Sequence, residues 1–121
     1  FDLWMIRDAE EAYRRSSQGG GRYAGNLEAL AHAEWLGKKH LNWVRRLLGN
    51  GFKKEGSVFG SIPGLTKGYV YYAVPEVYGE TGWNTWILNQ DGIICMKRCG
   101  NSIPPTEWPS DPIAAGWTLL D

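Results

Sequence analysis

Thr85-Trp86-Ile87-Leu88-Asn89-Gln90-Asp91-Gly92-Ile93-Ile94-Cys95-Met96 decides the fold class. Two β-branched and aromatic runs, 85–88 and 93–96, flank Asn89-Gln90-Asp91-Gly92. Asp-Gly supplies the positive φ that a tight hairpin turn needs, so two antiparallel strands are predicted here. Upstream, Tyr69-Val70-Tyr71-Tyr72-Ala73-Val74 reads as a further strand, which Pro75 must end or hold at an edge. Downstream, Pro104, Pro105, Pro109 and Pro112 make residues 100–121 an irregular tail, pinned by Trp108 and Trp117.

The first half of the chain has a different period. Leu3, Ile6, Ala9 or Glu10, and Tyr13 recur at helical spacing, with Arg7, Asp8, Glu11, Arg14 and Arg15 mostly on the other side. A helix over 3–16 is predicted, supported by Glu10–Arg14 and Glu11–Arg15 pairs at i,i+4. Gly19-Gly20-Gly21 stops it. Asn26 is a credible N-cap for a short helix over 27–36, with Glu28 in its first turn. A further helix over 39–48 buries Leu41, Val44, Leu47 and Leu48 and ends at Gly49-Asn50-Gly51. Helices first and an antiparallel sheet second predict an α+β domain. Its N-terminal amphipathic helix packs on three or four antiparallel strands, with extra short helices between.

The 121 residues fit one domain, 1–121. No apolar run reaches the roughly 18 residues a membrane helix needs. The formal net charge is zero, which excludes a global field for nucleic acid or acidic lipid. The charge is unevenly spread: residues 38–54 hold Lys38, Lys39, Arg45, Arg46, Lys53 and Lys54 with no acid. That basic block is a solvated helix face, a subunit contact or a grip for phosphates. Tyr71, Tyr72, Trp83 and Trp86 are sheet-covering core residues or a stacking platform for sugars or bases.

Signals for catalysis are absent from the sequence. His32 and His40 stand without a nucleophile or acid beside them, and neither a Gly-x-Ser-x-Gly turn nor a phosphate loop occurs. No cofactor, metal or catalytic residue is expected. Glu107, Asp111 and Asp121 are oxygen donors of the kind calcium takes, and read first as a solvated tail. Cys95 and Cys99 are either a disulfide or two free thiols. On a straight strand their Cα atoms lie roughly 13 Å apart, so bonding requires a turn at 96–98. An oxidising compartment favours the bond.

The order of the pieces carries a resemblance. Ala9-Glu10-Glu11-Ala12-Tyr13 closes an amphipathic helix; Gly20-Gly21-Arg22-Tyr23 and Asn26-Leu27-Glu28-Ala29-Leu30 follow. Gly64-Leu65-Thr66-Lys67-Gly68-Tyr69-Val70-Tyr71 and Trp86-Ile87-Leu88-Asn89-Gln90-Asp91-Gly92-Ile93-Ile94 come later. Over residues 5–95 this resembles the globular heads of type IV pilins and type II secretion pseudopilins of Gram-negative bacteria. The chain departs from them at its start. The family's apolar spine helix is not among these residues, either trimmed away or supplied by a separate chain; Met5 stands where a glutamate is usual, and Asp2, Arg7 and Asp8 are charged.

What the resemblance implies is a structural subunit of an extracellular filament or secretion pseudopilus, reaching the cell surface through the periplasm and acting by contact rather than catalysis. Its expected partners are other pilin subunits, including a separate short spine-helix chain if this is the head of a split pilin, and not nucleic acid. Phe1, Leu3, Trp4 and Ile6 are then expected at a docking interface, with Lys38, Lys39, Arg45 and Arg46 facing an acidic neighbour. An aromatic-rich module for carbohydrate or DNA is the alternative, and a small enzyme ranks last.

Overall fold

A computed structural model describes residues 2–15, 21–32, 38–63 and 68–120. Three helices precede six strands: α1 (Asp2–Arg15), α2 (Leu27–Ala31), α3 (Lys38–Gly49), β1 (Lys53–Lys54), β2 (Ser57–Ser61), β3 (Val70–Pro75), β4 (Thr85–Asn89), β5 (Ile94–Lys97) and β6 (Thr118–Leu120). The strands form one sheet in the order β1-β2-β3-β4-β5-β6, each antiparallel to the next. The α+β class and the helix-then-sheet order are as the sequence predicts. The strand number is corrected from three or four to six.

The added strands lie at both sheet edges. β1 and β2 are joined by Glu55-Gly56, with Lys54 opposite Ser57. Both turn residues have positive φ, 51° and 81°, as a two-residue type I′ hairpin requires. Glutamate is an uncommon first residue for such a turn, which hides this hairpin from a reading of composition. Across the sheet, the tail expected to be wholly irregular returns as β6, which sets Leu119 opposite Cys95 and Leu120 opposite Ile94.

Helix ends follow local chemistry. Asn26 Oδ1 accepts from the Ala29 N–H at 2.7 Å, so the N-cap prediction holds. α2 ends at Ala31 rather than 36, with His32 as its C-cap; residues 33–37 lie outside the described residues. After α3, the Phe52 N–H bonds the Leu47 carbonyl and the Gly51 N–H bonds that of Leu48. That pair of bonds closes a Schellman motif, with Gly51 at φ 68°.

Register sorts the two sheet faces. Tyr71, Leu88, Ile94 and Leu120 align in one row; Tyr72, Ile87, Cys95 and Leu119 align in the adjacent row, on the opposite face. The first row joins Leu3, Ile6, Leu30, Val44 and Leu47 in the helix-side core. Burying Leu3 and Ile6 contributes about 1.5–3 kcal/mol each. The tail is fastened back by Lys97 Nζ, which donates to the Ala115 carbonyl at 2.8 Å, and by the Tyr78 N–H, which donates to Ser102 Oγ at 2.9 Å.

Candidate functional site

α1 carries a carboxylate where its apolar stripe would otherwise continue. Glu10 is fully buried among Leu3, Ile6 and Ala9. It is not the partner of Arg14; that guanidinium pairs with Glu11 at 3.0 Å, and Arg15 joins the same carboxylate at 3.1 Å. Glu10 instead receives three hydrogen bonds. The Ala24 N–H donates to Oε1 at 2.7 Å, the Gly25 N–H to Oε2 at 2.9 Å, and the Tyr71 hydroxyl to Oε2 at 2.9 Å. Burial lifts the Glu10 pKa above its ordinary value, against the lowering effect of those three donors. Burial and the Glu10 charge push the Tyr71 phenol up in turn. The arrangement ties α1, the loop before α2 and β3 together. All three neighbours are donors to one carboxylate, which suits a clasp.

At the start of β4 stands a surface of another kind. Trp83 is 51% exposed. The Arg98 guanidinium carbon sits 4.4 Å from its ring centroid, and Tyr78 meets the same ring edge-on at 5.4 Å. Arg98 Nε donates to Tyr78 Oη at 3.2 Å, which fixes the guanidinium on the indole. Exposed Val77 and Ile103 adjoin Tyr78 and Ser102 in sequence, and the Tyr78–Ser102 bond joins those two loops. Trp, Tyr and Arg are the residue types enriched at protein-contact hot spots.

The opposite end of the β4–β5 hairpin carries an exposed carboxylate, Asp91. A groove of about 310 Å3 lies between α1 and the hairpin turn, lined by Arg7, Asp8, Glu11, Tyr69, Gln90, Asp91 and Gly92. Asn89 Oδ1 organises the turn by accepting from the Asp91 and Ile93 N–H groups. The Asp91 side chain is not needed for the turn and is exposed. A second concavity, of about 360 Å3, sits between α2 and β2 and is lined by Asn26, Glu28, Phe52, Gly60, Ser61 and Tyr72 among others.

Several expected site residues are placed differently. Leu3 and Ile6 are core residues and cannot dock a partner; α1 turns that face inward onto β3 and β4. Trp4, on the other side of the helix, is 39% exposed. Phe1 and the side chains of Lys38 and Lys39 lie outside the described residues, as does that of His40. Arg46 is exposed. Arg45 is a brace within the monomer, its Nε donating to the Ala31 carbonyl at the end of α2, 3.0 Å away. Lys53 pairs with Glu76 at 3.0 Å, and Lys54 lies over the Trp43 ring at 5.4 Å.

Cys95 and Cys99 are free thiols, which corrects the expected disulfide. β5 stays extended from Ile94 to Lys97 and the chain turns only at Gly100, φ 78°, so the required turn at 96–98 is not made. Trp86 faces the helix-side core while Trp83 lies on the outer surface, so the two form no common stacking platform. His32 Nδ1 sits 2.7 Å from the Glu28 carbonyl oxygen. Asp111 Oδ1 accepts from the Ala114 N–H within its own turn, and Glu107 is exposed. Asp121 is outside the described residues. Among the described residues no three His, Cys, Asp or Glu side chains gather as a metal site, and no helix is long and apolar enough to cross a membrane.

The sequence reading passed over both the Glu10 clasp and the Arg98 shelf. The signal for the first was present: Glu10 interrupts the stripe running from Ile6 to Tyr13. For the second no local signal existed, because Trp83 and Arg98 meet only through strand register. No family model, curated protein or solved structure matches this chain.

Proposed function

We propose that this chain is the globular head of a type IV pilin-like filament or pseudopilus subunit, exported through the periplasm and acting through subunit contacts, without a catalytic step. The observation that supports it most is α1, laid along the helix-side face of an antiparallel meander by Leu3, Ile6 and the Glu10–Tyr71 bond. That layout agrees with the one the resemblance implies. Trp4 on the outward side of α1 is the residue we assign to contact with a neighbouring helix. The alternative, a carbohydrate- or DNA-binding module, draws support only from exposed Trp83, since Trp86 does not share its surface.

The test is immunogold labelling, with antibody against this domain, of cells that carry the gene, alongside a deletion strain. Label on surface filaments that vanish in the deletion is the expected result. Label confined to the cell interior, with filaments unchanged in the deletion strain, overturns the proposal.

A further inference from the structure

We infer that copies of this chain associate head to tail, the Trp83–Arg98 shelf of one seating in the Asp91 groove of the next. Lys97 lies opposite Thr85 and Ile94 opposite Leu88, so Arg98 and Trp83 occupy one end of the β4–β5 hairpin. Asp91 occupies its turn, at the other end. A five-residue strand separates them, roughly 17 Å in length, so Arg98 cannot reach Asp91 of its own chain.

The two ends are complementary in charge and in apolar content. Among the described residues Arg98 has an aromatic shelf and a phenol oxygen but no carboxylate. Asp91 forms no ion pair among the described residues, while Asp8 and Glu11 beside it are already paired with arginines. Exposed Ile93 follows Gly92 of the groove in sequence, as exposed Val77 precedes Tyr78 of the shelf. Arg7, whose Cδ would lie 3.4 Å from a Cβ at position 92, brings α1 to the same rim. Trp4 stands one helical turn earlier on that side. A Trp–Tyr–Arg cluster favours a protein occupant over a sugar, and the exposed Asp91 carboxylate makes a second copy the fitting one for Arg98. Surfaces on opposite ends of a molecule give a heterologous contact, which propagates as a ring or an open chain rather than closing as a dimer.

This contact rests on the filament reading and gives it a direction. The experiment is sedimentation of the purified chain over a range of concentrations, at low and high salt. Wild type should form concentration-dependent oligomers that weaken with salt. Arg98→Glu and Asp91→Lys should each weaken association about tenfold or more. An equimolar mixture of the two variants should recover it, because each variant then meets the opposite charge on the other. Recovery also shows that both variants fold. A wild type that stays monomeric throughout, association untouched by either reversal, or a mixture that fails to recover overturns the contact. Labelled filaments together with any of these results refute the contact alone. Recovered association together with unlabelled filaments refutes the filament reading alone.

Discussion

Tyr71 in β3 donates its phenolic hydrogen to Glu10 in α1, 2.9 Å away and 61 residues earlier in the chain. The carboxylate also holds the backbone of Ala24 and Gly25, so one buried side chain joins helix, loop and sheet. Such a group is costly to bury alone and stable only with its donors in place.

Tyr71→Phe keeps the ring and removes one donor from a buried carboxylate. Stability should fall by about 1.5–3 kcal/mol. Urea unfolding with an unchanged m-value checks it. A loss indistinguishable from zero would mean that water replaces the hydroxyl.

The same site predicts a pH dependence. Burial raises the Glu10 pKa above its ordinary 4.5, by more than its donors lower it. The folded chain therefore binds this proton more tightly than the unfolded chain. The associated stability is complete below pH 4.5 and is lost as pH rises through the folded pKa. Glu11, held down by its bond to Arg14, works in the opposite sense, but it is common to both proteins when wild type is compared with Glu10→Gln. Wild type minus Glu10→Gln stability should decrease as pH rises from 4.5 and then level off. An increase over that range would show that the donors outweigh burial.

Thiol chemistry separates the two cysteines. Cys95 is buried in β5 opposite Leu119, and burial pushes its thiol up; Cys99 is partly exposed beyond the strand. Alkylation of the unreduced native protein should modify Cys99 first, and Cys95 only on unfolding. Bridging them would require curling β5 and breaking its pairing with β6. Failure to label either thiol in unreduced, denatured protein would establish the bond instead.

Two glycines should respond with opposite signs. A Cβ at Gly56 would lie 2.9 Å from Thr81 Cβ, at a φ of 81°. Gly56→Ala should cost roughly 1–3 kcal/mol. Gly49 closes α3 with nothing within 4 Å of its Cβ position, so Gly49→Ala should gain about 0.4–1 kcal/mol. Thermal unfolding of both variants checks the pair. A stabilised Gly56→Ala would refute the tight β1–β2 turn.

Periodicity made α1, α3 and the central strands legible. Leu3 and Ile6 declare a helix face, and Asp91-Gly92 declares a turn. Which partner that face meets is not local information: the same Leu3 and Ile6 suit a neighbouring chain or this chain's own β3. Edge strands were hidden for a related reason. Lys53-Lys54 and Thr118-Leu119-Leu120 have weak patterns of their own and become strands only when β2 and β5 offer hydrogen-bond partners. Cys95 and Cys99 looked bondable because spacing is visible in a sequence, whereas strand continuation through Lys97 is not.

The strictly consecutive order of the strands bears on how the chain finds its shape. Each strand pairs with the one before it, so the sheet can grow outward from the β4–β5 hairpin by closing neighbouring loops. The entropy of joining distant segments then falls mainly on seating α1, which must bring Glu10 to Tyr71. Pulsed hydrogen exchange during refolding should therefore protect the β4–β5 amides before those that depend on α1 docking.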